Sequence, residues 1–159
     1  MPSYFAHGSN MDEFQMRERC PSAKFRFVAR VPNHELCFPR ESTGRHGGVS
    51  SIEQFPRKVV WGVVYEVSEA DLKNLNACEG YNPKRDPKEN SYNRSEMQVE
   101  RVNGALHRCY VYMANKKGSF LPSRECYLNY IIRGAEQHQR QGIPKNYMRK
   151  LRKIKTNDD

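Results

Sequence analysis

The apolar positions of this chain fall into short runs, mostly strand-like, with three or four helical segments between them. Tyr4 to His7 has strand character and breaks at Gly8. Asn10 stands where it can cap a helix that begins near Met11, with Glu13 three residues on as the reciprocal partner of a capping box. Lys24 to Val31 and Glu35 to Phe38 read as two strands joined through Pro32-Asn33. A glycine-rich, charged stretch from Pro39 to Gly48 reads as a mobile loop, and Gly47 to Ile52 as a returning strand. Val59 to Val67 is the clearest strand and is expected at the centre of the sheet, with Gly62 marking a bulge or a close backbone contact. Ser68 and Asp71 open a short helix carrying Leu72, Leu75 and Cys78 on one face, which ends at Glu79-Gly80.

Beyond a polar loop at Asn82 to Asn90, Tyr92 to Val102 and Ala105 to Met113 flank Asn103-Gly104 as a hairpin. Pro122-Ser123 starts the last major helical segment. Tyr127, Tyr130, Ile131, Gly134 and His138 mark one of its faces until Gly142 and Pro144 stop it. No internal repeat or linker interrupts this order, so residues 1–159 read as one domain. The hairpins argue against an alternating parallel sheet and for an α+β fold, a compact antiparallel sheet or small barrel with flanking helices.

The 159 residues suffice for a sizeable core without metal or disulfide staples. Five scattered cysteines with no Cys-x-x-Cys pair argue against a disulfide framework or a zinc site and fit a reducing cytosol. No apolar run approaches the length of a membrane span, and no leader pattern opens the chain, so a soluble protein is expected. The formal net charge of +9 is densest between Lys145 and Lys155. There Tyr147, Met148, Leu151 and Ile154 recur at helical spacing, which favours a terminal amphipathic helix with a solvated basic face over a nucleic-acid site. No RNA-recognition signature, zinc-finger spacing or basic heptad accompanies the charge.

Among the candidate chemical groups, Glu79 stands out, at the end of an apolar helix where partial burial would raise its pKa and make it a better base. The loop at Gly8 to Asn10, before a helix N-terminus, suits a carboxylate or phosphate, although on spacing alone it is also an ordinary strand–turn–helix connection. Cys78, on the apolar face, is discounted as a nucleophile. The five histidines lack tight ligand spacing, so no metal is expected, and no phosphate-loop or dinucleotide fingerprint calls for a cofactor.

In order along the chain stand Tyr4-Phe5-Ala6-His7-Gly8-Ser9-Asn10-Met11, Pro21-Ser22-Ala23, His46-Gly47-Gly48, Val60-Trp61-Gly62-Val63-Val64-Tyr65, Glu79-Gly80, and Pro122-Ser123 leading to Gly134-Ala135. Together they resemble the γ-glutamylcyclotransferase family. The resemblance implies a small, mainly antiparallel β-barrel with flanking helices and a cavity for a small γ-glutamyl substrate. It implies Glu79 as the catalytic glutamate and His7, Gly8, Ser9, Asn10 and Met11 around the γ-glutamyl moiety. Tyr92, Tyr110 and Tyr127 look like the family's pocket tyrosines. His7 departs from the tyrosine usual before Gly-Ser-Asn. The implied reaction releases 5-oxoproline without metal or cofactor. A non-catalytic relative that uses the basic C-terminal helix to contact an acidic partner is the alternative, and a homodimer is left open.

Overall fold

The computed structural model describes residues 1–159. Strand β1 (Ser3–Ala6) leads through a single 3₁₀ turn (Ser9–Met11) into helix α1 (Glu13–Arg19), then strands β2 (Lys24–Ser42) and β3 (Gly47–Glu66), and helix α2 (Glu69–Cys78). Strands β4 (Tyr92–Arg101) and β5 (Leu106–Ala114) form the expected hairpin. A π-helical turn (Arg124–Leu128) runs into α3 (Asn129–Gln137), and α4 (Lys145–Arg152) follows. The strands close into a barrel in the order β1-β3-β2-β4-β5. Its one parallel seam joins β5 to β1 at Tyr4 and Tyr110; every other pairing is antiparallel.

Strand β3 is central, as its β-branched run suggests. Gly62 marks a close contact there, because a Cβ at that position would strike the Ala6 carbonyl oxygen of β1. The two short strands expected on either side of Pro32-Asn33 are instead one 19-residue strand, and β3 likewise continues from Gly47 through the former gap. Pro32-Asn33 forms an irregularity within the ladder rather than a turn. Asn33 and Arg57 both take positive φ, and the Asn33 side chain accepts the Arg57 amide at 3.1 Å, so the hairpin bends without ending. Ladder pairing also carries most of the expected loop from Pro39 to Gly48, with Arg40 opposite Val49 and Ser42 opposite Gly47.

The two strand faces separate the core. Phe5, Ala29, Val31, Val64, Val99, Cys109 and Val111, drawn from all five strands, fill the barrel. The larger cluster joins Tyr4, Ala6, Val63, Tyr65 and Tyr112 of the opposite face to Met16, Leu72, Leu75, Ile131 and Leu151 of the helices. Helix α2 has the full capping box of Ser68 and Asp71, and Glu79 is its C-cap. Cys78, expected on the buried face with Leu72 and Leu75, is exposed. Helix α4 buries Tyr147, Met148 and Leu151 and turns Arg149, Lys150 and Arg152 outward. The basic amphipathic pattern is thus realised over a slightly shorter span than Lys145 to Lys155.

Candidate active site

On the helix-covered flank of the barrel lies a cavity of about 410 Å³. Its wall brings together Tyr4, the His7–Asn10 loop, the C-terminal ends of α1 and α2, the tip of the β2–β3 hairpin, and tyrosines from β4, β5 and the π-helical turn. The loop takes its shape from side chains rather than from the helix cap expected at Asn10. Asp12 caps α1 instead, accepting the Gln15 amide at 3.3 Å. The reason is local: the chain makes a 3₁₀ turn before the α-helix starts, which shifts the cap two residues on.

Asn10, freed from capping, is a buried hub. Its Nδ2 donates to the Tyr4 hydroxyl at 3.0 Å, and its Oδ1 accepts from Gln15 at 2.8 Å and from Arg19 at 3.0 Å. Gln15 also donates to Ser9 Oγ at 2.8 Å. The Tyr65 hydroxyl donates to the Asn10 carbonyl at 3.0 Å. With each polar end engaged, the loop is fixed before any ligand arrives. Gly8 is required by crowding, since a Cβ there would lie 2.5 Å from Ser50 Oγ and 3.4 Å from the Tyr127 hydroxyl. Its amide donates to no group of the protein and remains available at the cavity wall.

Glu79 lines the same cavity. Its carboxylate has neither a hydrogen-bond donor nor an ion-pair partner within the protein, unlike the paired carboxylates of Asp12 and Glu66. Burial pushes its pKa from the ordinary 4.5 to about 7, against the opposing pull of the Arg19 and Arg45 guanidiniums. The carboxyl is therefore poised to take or give a proton near neutrality. Its charge reaches four phenols, Tyr4, Tyr92, Tyr112 and Tyr127; burial chiefly, and that charge in addition, hold each of them protonated.

Tyr92 and Tyr127 both brace Ser50. Tyr92 donates to the Ser50 carbonyl at 2.7 Å, and Tyr127 meets Ser50 Oγ at 2.8 Å. Tyr110 does not line the cavity. It is half-buried further along β5, with the Arg94 guanidinium 4.4 Å from its ring centre. Tyr112, two residues on and on the same strand face, occupies the wall and donates to Asn76 at 2.6 Å. Met11 is fully buried behind the loop rather than at the cavity. His7 does reach the wall. Its Nε2 donates to the Tyr112 carbonyl at 3.2 Å, which fixes the neutral tautomer, and burial lowers its pKa to about 4. Sequence reasoning missed Tyr4, Ser50 and the guanidiniums of Arg19, Arg40 and Arg45.

A small barrel with a preformed cavity on one flank, lined by the unpaired Glu79 carboxyl, is the class of protein that these features define. A family model described as the AIG2-like family matches residues 59–151. The chain is 34% identical over 159 residues to a Homo sapiens protein named gamma-glutamylcyclotransferase, covering 98% of this chain and 79% of that protein. A Mus musculus protein of the same name is 33% identical over the same shares of the two chains. A solved structure described as a gamma-glutamyl cyclotransferase superposes with a TM-score of 0.87 at 33% identity, covering 99% of this chain and 90% of that one. The chain belongs to the γ-glutamylcyclotransferase family, and the α+β barrel that the resemblance implied is the one observed.

Proposed function

We propose that this protein releases 5-oxoproline from γ-glutamyl compounds, with Glu79 as general base and then general acid. The observation that carries the reading is the unpaired Glu79 carboxyl, with its pKa near 7, facing a fixed Gly8–Asn10 loop. In a γ-glutamyl amide the α-amine can reach its own γ-carbonyl and close a five-membered lactam. The nucleophile is then supplied by the substrate. An α-ammonium titrates around pH 8, so Glu79 removes its proton as the C–N bond forms. The same proton passes to the departing nitrogen as the γ-amide bond breaks. The products are 5-oxoproline and a free amine or amino acid.

Gly8, Ser9 and Asn10 hold the γ-glutamyl unit, with the free Gly8 amide suited to its α-carboxylate or to the oxyanion. Holding the chain folded supplies the proximity term, which in good intramolecular cases is worth several kcal/mol. Tyr92, Tyr112 and Tyr127 shape the pocket, with Tyr112 in the place first given to Tyr110. The whole of residues 1–159 acts as one unit, because the cavity draws on residues from Tyr4 to Tyr127. No helix is long and apolar enough to cross a membrane, and the five thiols are free, which supports activity in a reducing compartment such as the cytoplasm.

The test is 5-oxoproline release from a panel of γ-glutamyl dipeptides and γ-glutamylamines, run beside Glu79→Gln. Turnover that drops by about 10²-fold or more in the variant, with its fold intact, supports the reading. Equal turnover by the variant defeats it. The non-catalytic alternative is not favoured, since an acidic partner on the outward face of α4 gives no reason for an ionisable carboxyl in a preformed cavity.

A further inference from the structure

The cavity wall holds four phenols, Tyr4, Tyr92, Tyr112 and Tyr127, and hydrogen bonds within the protein account for the protons of all but one. Tyr92 donates to the Ser50 carbonyl at 2.7 Å and Tyr112 to Asn76 Oδ1 at 2.6 Å. Tyr127 has Ser50 Oγ at 2.8 Å as its partner. Tyr4 differs. Its Oη takes part in one hydrogen bond, with Asn10 Nδ2 at 3.0 Å, and there it is the acceptor. The Asn10 carboxamide cannot be turned the other way. Its Oδ1 already receives Gln15 Nε2 at 2.8 Å and Arg19 Nη1 at 3.0 Å, and a guanidinium only donates. The Tyr4 proton is therefore left without an acceptor in the protein, although the residue is buried. A buried donor in that state is costly. Tyr4 lines the cavity, so a ligand is the group that can supply the acceptor.

The hydroxyl is also held in one place. Tyr4 stands in β1 opposite Tyr65 of β3 and Tyr110 of β5, at the parallel seam of the barrel. Its ring stacks on that of Tyr65 with centroids 6.4 Å apart, and the Tyr112 ring meets it edge-on at 5.8 Å. Burial first and the Glu79 charge second push its pKa upward, so it is a donor and not a base. A rigid neutral donor that shares a cavity with an ionisable carboxylate suits an oxygen on which charge develops. In lactam closure that oxygen is the γ-carbonyl. As the α-nitrogen bonds to the γ-carbon, the C=O π pair moves onto oxygen, and Glu79 takes the proton of the nitrogen. When the γ-amide bond breaks, the pair returns and the departing nitrogen takes that proton from Glu79. The phenol keeps its own proton throughout, and the Gly8 amide is left for the α-carboxylate.

We infer that Tyr4 is a further catalytic residue, whose Oη–H donates to the γ-carbonyl oxygen of the substrate and stabilises the oxyanion of the tetrahedral intermediate. This rests on the cyclotransferase reading of the same cavity.

The probe is γ-glutamylalanine isotopically labelled at the γ-carbonyl carbon. Its infrared band is read when bound to Glu79→Gln, where turnover does not consume it, and again with Tyr4→Phe added. Turnover is measured with Glu79 in place. Tyr4→Phe keeps the stacked ring and loses only the hydroxyl. In Glu79→Gln the bound band should lie below its position in an aprotic solvent, and Tyr4→Phe should return it upward. With Glu79 intact, Tyr4→Phe should lower kcat about 10²-fold, the scale of one oxyanion donor, while KM changes within about threefold. The Asn10 amide also loses its acceptor in this variant, so a merely structural role gives the reverse, a raised KM from a loosened loop with the band unmoved. That result overturns the assignment, as does an unchanged kcat. A bound band already at the aprotic position in Glu79→Gln overturns it without any Tyr4 variant, and so does an absence of binding. A band unmoved by Tyr4→Phe, with the acid limb of kcat/KM displaced to higher pH, gives the Tyr4 proton to Glu79 and likewise overturns the assignment. Release of 5-oxoproline by the unsubstituted chain is read separately. Its absence counts against the cyclotransferase reading, while the band still decides the role of Tyr4.

Discussion

The Tyr127 hydroxyl accepts the Ser50 amide at 3.0 Å and lies 2.8 Å from Ser50 Oγ, so a residue of the π-helical turn is pinned to the turn-proximal start of the barrel's longest strand, β3. Both groups are buried, and Gly8 passes directly beside them. The contact therefore fixes the distance between the substrate loop and the wall opposite. Tyr127→Phe removes the acceptor and leaves the Ser50 amide buried without a partner, a loss of about 1–3 kcal/mol. Chemical denaturation should show the lowered midpoint with an unchanged slope.

The pH dependence of turnover should have an acid limb near pH 7. Glu79 must be ionised to accept a proton, and burial has moved its pKa to about 7. His7, lowered to about 4 by its own burial, stays neutral throughout this range and contributes no step there. A kcat/KM profile that rises through pH 6–8 fits Glu79. A rise centred near pH 4 contradicts the upward shift of Glu79.

The same shift makes Glu79 a burden on the fold. Because its folded pKa lies above its ordinary 4.5, the native state is favoured with the carboxyl protonated, and that contribution is lost as pH rises through about 7. Glu79→Gln mimics the protonated form. It should be more stable than the parent at pH 8, by up to about 3 kcal/mol, with the gap closing toward pH 4.5. Thermal midpoints taken at the two pH values measure this directly. An equal midpoint shift at both would contradict the burial of that charge.

Asp12 behaves in the opposite sense. Burial alone would raise its pKa, but hydrogen bonds from Arg133, the Gln15 amide and Gln137 outweigh it and hold the carboxyl below its ordinary range. Its contribution is present at neutral pH and is lost as pH falls through the folded value. Asp12→Ala removes the α1 cap and a bidentate partner together, at a cost of about 2–3 kcal/mol at pH 7. The difference from the parent should shrink as pH falls below the ordinary carboxylate range and through the folded value, where the parent also loses the charge.

Local features were the legible ones. The Ser68–Asp71 capping box, the helix stop at Glu79-Gly80 and the Asn103-Gly104 hairpin each depend on residues a few positions apart, and each is where the sequence puts it. The cap of α1 was misplaced because Asn10 and Asp12 are both good caps, and only the 3₁₀ turn between them decides. Tyr110 and Tyr112 share a strand face, so alternation cannot tell them apart; their position along β5 relative to the cavity does. Pro32-Asn33 carries the chemistry of a turn, yet pairing with β3 on both sides keeps the strand continuous. The arginines left no signal, because cations at loop and helix ends are ordinary until tertiary contacts place them around one carboxylate.

The cavity takes its walls from Tyr4, Glu79 and Tyr127, and its strand order closes β5 onto β1. Enzymatic activity is consequently a clock for folding. Contacts so distant in sequence must pay their loop-closure entropy before they return any stability, which makes them slow to form. Regain of turnover after dilution from denaturant should trail the return of helical signal, with the chemistry switching on only when the barrel's last seam has shut.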